Sequence, residues 1–446
     1  MKHIVRFLTY LGLFLICVIL IITYNLVTKE QFSFTNQVTS ENAITIGTTL
    51  KVRTLDPADS YELAGLNIIY NVAESLYTYE LGTTHLKPLL AREMPQVSQN
   101  GLVYTIPLRE GVTFHDGTGF NAEAMKFSLE RFIQNLGKPS FLLADTVESI
   151  EATGKYELTI KLKKPFAAFP SLLAFPGACA VSPQAYTIGE GEFKTKALIG
   201  TGPYQLTEFN PDSLSLNSFK NYWGEKPVNN AVKIQIYPGN SLDLYEEFRL
   251  GNIDVAYQAL SPEQIVSLLQ AAQMGKWQDV EGSGTVVNYL VLNRNQKPLD
   301  QLEVRQAIAA LIDRQSIIDN VLQGQAEPLY SLISTVFPDY TPSFQEAYGD
   351  ANLTKAKELL TKAGFSQANP AIIELQYSSA SITRAEVAET LKAFANQELG
   401  GIIKFEPKGV ESATAFSSLG KGVYQAFLSD WYPDFLDPDN YIYPFL

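Results

Sequence analysis

Tyr104-Thr105-Ile106-Pro107-Leu108-Arg109-Glu110-Gly111-Val112-Thr113-Phe114-His115-Asp116-Gly117 is the stretch from which the fold is read. Its first six residues alternate in polarity as a strand does. Pro107, with no N–H to give a ladder, places that strand at an edge or a bulge. Asp116-Gly117 has tight-turn chemistry. Just beyond, Asn121 has the side chain of a helix cap, ahead of Ala124, Phe127, Leu129 and Phe132 near helical spacing. Leu158, Ile160 and Leu162 alternate with Thr159 and Lys161 in a half-buried strand. Residues 86–190 therefore read as an α+β insertion with its own small core.

Upstream, Ile44 and Ile46 enter a first strand that turns at Gly47-Thr48-Thr49-Leu50. From Asn67 to Tyr77, the residues Ile68, Val72, Leu76 and Tyr77 fall near helical spacing, which puts Glu74 at a helix surface or end. Downstream, Gly200-Thr201-Gly202-Pro203-Tyr204 restarts a β-rich segment, and Val232, Ile234 and Ile236 line one strand face. A helix over Ser241 to Leu250 stops at Gly251, and a strand begins near Val255. A second lobe opens at Val286 to Leu292. Its helices are marked by Val304, Ile308, Leu311 and Ile312 (with Arg305 and Arg314 outward), by Ala356, Leu359, Leu360 and Ala363 before Gly364, and by Val387, Leu391 and Phe394. Ile402 to Phe405 is a further strand. This alternation indicates an α/β protein. Residues 43–85 and 191–282 form the first lobe around the insertion, and 283–446 the second.

The N-terminal end is different in kind. Phe7 to Thr28 is a run of 22 residues without a charge. As a helix it would be about 33 Å long, enough to cross a hydrocarbon core of roughly 30 Å. No small-residue cleavage site follows, so residues 1–30 read as a transmembrane anchor or uncleaved signal, with 31–42 a polar tether. Lys2 and Arg6 keep the N-terminus in the cytoplasm and the body outside. The chain carries a net charge of −13 although its first 30 residues are net positive, so the body is acidic, a field opposed to nucleic acid. Of the two cysteines, Cys17 lies in the apolar run, which leaves Cys179 alone as a small buried hydrophobe.

Near the far end, Trp431-Tyr432-Pro433-Asp434-Phe435-Leu436-Asp437-Pro438-Asp439-Asn440 follows a short apolar strand. Two prolines and three acids oppose a helix here. Trp431 three residues before Asp434 offers an apolar wall and an anion together, which suits a cationic amine on an apolar body. The alternative is a core tryptophan beside a solvated acidic turn. Motifs for catalysis are missing: there is no G-x-x-x-x-G-K-S/T, G-x-S-x-G or H-E-x-x-H. Only three histidines occur, His3, His85 and His115, so neither a metal site nor a cofactor is expected. An enzyme is not expected either.

Several ordered motifs carry a resemblance. Tyr70-Asn71-Val72-Ala73-Glu74-Ser75-Leu76-Tyr77, Leu86-Lys87-Pro88-Leu89-Leu90-Ala91, the Tyr104–Gly117 stretch, Gly200-Thr201-Gly202-Pro203-Tyr204, Asn221-Tyr222-Trp223-Gly224 and Val304-Arg305-Gln306-Ala307-Ile308 resemble the family 5 solute-binding proteins. These are the receptors of bacterial oligopeptide, dipeptide and nickel ABC importers. The resemblance implies a two-lobed, type II periplasmic-binding-protein-like fold, with the insertion packed on the first lobe. It also implies a monomer that captures an oligopeptide between the lobes and delivers it to ABC permease subunits, on the periplasmic or extracytoplasmic face of a bacterial membrane. The segment after Trp431 is similar to the family's W-x-x-D, whose Asp holds the ligand's α-ammonium in peptide-binding members. On that match Asp434 is the anchor and Trp431 lines the pocket, whereas His115-Asp116-Gly117 is structural.

Two departures stand out. Dipeptide-specific members place an Arg for the ligand carboxylate just before the last large helix, and Gln376-Tyr377-Ser378-Ser379 has none. Family members also continue for about a hundred residues beyond this motif, so the chain resembles a truncated product lacking the return to the first lobe. The alternatives are a nickel or metal-chelate receptor of the same fold and a non-functional remnant, with a hydrolase last.

Overall fold

The structure is a computed structural model that describes residues 42–257 and 260–443. The apolar run at 7–28 and almost all of the tether lie outside the described residues. Among those described, no helix is long and apolar enough to cross a membrane.

The insertion is built as an antiparallel sheet of Gln96–Val97, Val103–Pro107, Glu157–Leu162 and Val147–Gly154, in that order. Tyr104 and Ile106 are buried while Val103, Thr105 and Pro107 are half-exposed, the period-2 signature of a strand with one covered face. The covering helix is Ala122–Gln134, and the Asn121 side chain accepts from Ala124 N as its cap. Val103–Pro107 is an inner strand rather than an edge. Pro107 is tolerated because it is the last residue, beyond the reach of the two-residue Gln96–Val97 partner.

A five-stranded sheet runs in the order Val255–Ala256, Ala43–Thr48, Ala231–Ile236, Ser213–Ser218, Tyr204–Phe209. Helix Leu63–Val72 contributes Ile68, Ile69 and Val72 to its core, with Leu214, Leu216 and Ile236 from the strands. Cys179 is buried in the same core.

The third sheet has the order Val287–Leu292, Ala426–Trp431, Ala371–Ser378, Ile403–Val410. The first pair is antiparallel and the other two pairs are parallel. Leu375, Ile373, Ala426 and Leu428 meet Val304 and Ile308 of helix Leu302–Leu311, Leu360 of Leu353–Lys362 and Leu391 of Ile382–Leu399. Gly364 follows the second of these helices with φ +88°, the left-handed cap that only glycine adopts freely.

Two local expectations are corrected. Ile312 is already extended, and Arg314 opens a separate helix, Arg314–Asn320, capped by the Asp313 side chain. It lies on Tyr330 and pairs with Asp350 at 2.8 Å. In the Trp431–Asn440 stretch, Pro438 does not oppose a helix but starts one, Pro438–Ile442. Proline suits the first helical position, where its missing N–H is not needed, and Asp437 caps it by accepting from Asp439 N at 3.0 Å.

Candidate ligand-binding site

The Ala426–Trp431 strand belongs to the third sheet, but the residues after it leave for the core of the insertion. Trp431 packs with Val287, Ile333, Phe337 and Tyr441. Four residues on, Phe435 is buried in the insertion's core, edge-on to Phe166 at 6.2 Å. Leu436 N donates to the Tyr79 phenol at 2.9 Å. Asp434 therefore lies on a crossing pinned at both ends by aromatic packing.

Asp434 is half-buried. Burial raises its pKa above the ordinary carboxylate value, and hydrogen bonds from Tyr61 and Asn440 offset part of that rise. None of the ion pairs among the described residues includes Asp434. Tyr61 comes from the loop before helix Leu63–Val72 and is held edge-on by Phe141 at 5.9 Å and Phe175 at 6.4 Å. Burial and the neighbouring Asp434 charge push the phenol's pKa up, so it remains a donor. Asn440 is buried, and its Oδ1 accepts from Asp434 N at 2.9 Å and Trp431 Nε1 at 3.2 Å. That amide is what brings the two expected site residues, Trp431 and Asp434, together. Chemically this is a partly desolvated anion with neutral donors and aromatic walls. Such a carboxylate gains most from a cation that arrives with its own apolar body.

Sequence reasoning missed Tyr61 and Asn440. Tyr61 is far away in the chain, and Asn440 carries no local signal for the bridge it makes. It also misjudged Glu74. Helix Leu63–Val72 ends before it, and Glu74 is 3% exposed. Thr201 Oγ1 donates to it at 2.8 Å, Tyr222 OH at 2.7 Å and Trp223 Nε1 at 2.8 Å. The Arg109 guanidinium lies 4.7 Å above the Trp223 ring. Burial raises the Glu74 pKa despite these bonds. A side chain at Gly200 or Gly202 would overlap the backbone at Val72, so the flanking glycines are what let Thr201 reach Glu74. Four separate motifs thus meet on one carboxylate.

His115 Nε2 lies 3.0 Å from Gly202 O, its ring edge-on to Phe219, and burial lowers its pKa. Among the described residues no cluster of three His, Cys, Asp or Glu forms a metal site. The arginine nearest to Gln376-Tyr377-Ser378-Ser379 is Arg384, in the first turn of helix Ile382–Leu399, and it pairs with Asp430.

A family model described as bacterial extracellular solute-binding proteins, family 5 Middle, matches residues 85–446. The probable D,D-dipeptide-binding periplasmic protein DdpA of Escherichia coli K12 is 27% identical over 422 residues, covering 93% of this chain and 79% of the relative. The glutathione-binding protein GsiB of Salmonella typhi is 31% identical over 321 residues, covering 70% of this chain and 59% of the relative. Among solved structures, NikA from Brucella suis in complex with Fe(III)-EDTA superposes with a TM-score of 0.77 at 25% identity, over 90% of this chain and 81% of the other. The unliganded open form of the periplasmic murein tripeptide-binding protein MppA gives 0.73 at 21% identity, over 90% and 80%. The mixed α/β architecture is that of periplasmic binding proteins.

Proposed function

Because the chain belongs to the bacterial extracellular solute-binding proteins of family 5, we propose that it captures peptides outside the cytoplasmic membrane for an ABC importer. Asp434 grips the ligand's α-ammonium, Trp431 walls the pocket beside it, and the loaded protein docks on the permease subunits as a monomer. The observation that carries this reading is the Asp434 carboxylate, partly withdrawn from water and without an ion-pair partner among the described residues, on a segment that passes from one core to another. The DdpA and GsiB relatives, whose names specify a dipeptide and glutathione, support a peptidic ligand. The apolar run at 7–28 would hold the body at the outer membrane face.

The lobes close over the ligand by a hinge motion, and water exclusion strengthens the ion pair. One charge-assisted hydrogen bond contributes about 1.5–3 kcal/mol, whereas micromolar binding needs about 8 kcal/mol. The remainder comes from strand-edge hydrogen bonds to the peptide backbone. No bond of the ligand is broken.

Calorimetry with a free peptide and its N-acetyl form tests this. Wild type binds the free amine and loses it on acetylation, and Asp434→Asn binds both equally weakly. Undiminished affinity for the free peptide in Asp434→Asn rejects the assignment. A chelated metal is the second reading, favoured by the likeness to the Fe(III)-EDTA-bound structure. Native mass spectrometry of the purified chain distinguishes a peptide mass from a metal complex.

A further inference from the structure

The third sheet is covered unevenly. Ala371, Ile373 and Leu375 face the three helices that close one side of it, so Ile372 and Glu374 between them face the other way. On that second face, Ala415 and Leu419 of helix Ser412–Lys421 lie near Ser378 and Phe427, toward the C-terminal ends of the strands. The opposite corner is open. There the ladder between Ala371–Ser378 and Ala426–Trp431 begins only at Leu375 and Ala426. Ahead of it the Gln425 side chain stands in for a strand: its Oε1 accepts from Glu374 N at 2.6 Å and its Nε2 donates to Lys297 O at 2.7 Å. A groove of about 630 Å³ lies over this corner, bordered by Gln296, Ile372, Glu374, Glu406, Val423 and Tyr424.

The groove is apolar where it is most open. Ile372 is 46% and Val423 59% exposed, with Tyr424 half-buried beside them. A small-molecule pocket encloses most of its ligand, whereas side chains this exposed fit the surface of another macromolecule. The charge here is negative and unequally answered. Glu374 and Glu406 are register partners on adjacent strands about 4.8 Å apart, an arrangement that repels. Glu374 is met from within, by Lys408 Nζ at 2.8 Å and Gln376 Nε2 at 2.6 Å. Glu406 is exposed and makes no ion pair among the described residues. On a chain of net charge −13, a basic group is drawn in by the overall field and relieves the local repulsion on arrival. Gln425 and Trp431 bound the two ends of one strand, roughly 20 Å apart. A partner seated in the groove therefore leaves the candidate ligand site uncovered.

We propose that this corner docks a second protein, which lays an apolar side chain against Ile372, Val423 and Tyr424 and brings a lysine or arginine to Glu406. The apolar contact holds the partner, and the charge pair sets its orientation and rejects acidic surfaces.

Photo-crosslinking of the full chain in bacterial cells tests this, with p-benzoylphenylalanine placed at Val423 or, as a control, at Leu250, an exposed apolar residue of the first lobe. The products are identified by mass spectrometry. Val423 is expected to give a discrete product with another protein, joined through a segment that contains lysine or arginine, and Leu250 is not. Glu406→Lys lowers the yield about tenfold or more, and Glu406→Gln lowers it less. Reversing the partner's basic residue to glutamate restores the yield in Glu406→Lys. Thermal melting confirms that each variant is folded. A Val423 pattern no different from that of Leu250, a yield indifferent to both Glu406 variants, or a joined segment without a basic residue overturns the proposal. So does a product within one chain or between two copies, which assigns the face to the protein itself.

Discussion

Glu74 and Asp434 are both carboxylates drawn out of water, and burial raises both pKa values, but the surroundings finish the two sites differently. Glu74 receives three short hydrogen bonds from Thr201, Tyr222 and Trp223 and lies beneath the charge of Arg109. Its hydrogen-bonding capacity is met from within, and it clamps a helix end, a glycine turn and a tyrosine–tryptophan pair to one another. Among the described residues Asp434 receives Tyr61 and Asn440, on a segment stretched between two cores. A buried acid surrounded by enough donors is architecture. One left short of them, with aromatic walls, still has something to gain from a cation. A carboxylate's burial alone thus says little about its use, and the count of its donors says more.

The largest expected effect breaks the comparison on the Glu74 side. Glu74→Ala strands three donors, each costing about 1–3 kcal/mol when buried and unpaired. Urea denaturation should register a loss of roughly 3–5 kcal/mol, with peptide affinity of the folded fraction unchanged. A loss below about 1 kcal/mol would mean that water replaces the carboxylate freely. Asp434→Asn should do the opposite, weakening free-amine peptides about 10–100-fold with no loss of stability.

Acidification sharpens the contrast. As pH falls through the raised Asp434 pKa the carboxyl becomes neutral, so amine binding is complete above that pKa and lost below it. N-acetylated peptides should give a flat profile over the same range, and equal slopes for both would remove Asp434 from the binding step. The smallest effect concerns stability without ligand. A carboxyl whose folded pKa is raised binds its proton more tightly in the native state. The native state therefore loses stability as pH rises from the unfolded-state value through the folded one. Asp434→Asn removes that slope and should gain less than about 1 kcal/mol at neutral pH, readable as a small rise in Tm.

Much of the fold was legible because it is local. The alternation of Leu158, Ile160 and Leu162, the cap at Asn121 and the glycine stop at Gly364 all report the geometry of their own neighbourhood. Pro438 was misread because a helix breaker and a helix starter are the same residue in different positions. Glu74 was misread because its partners lie 127 to 149 residues away in sequence.

The candidate site divides along the same line. By itself the sequence established the α/β alternation and the ordered motifs that mark the family, and it offered Trp431 and Asp434 as candidates, since each rests on residue type and short spacing. Only the tertiary structure put Tyr61 on Asp434, Arg384 on Asp430 and four motifs on Glu74. Partners that meet through packing leave no period or spacing in the chain, and a carboxylate's role depends on how many of them arrive.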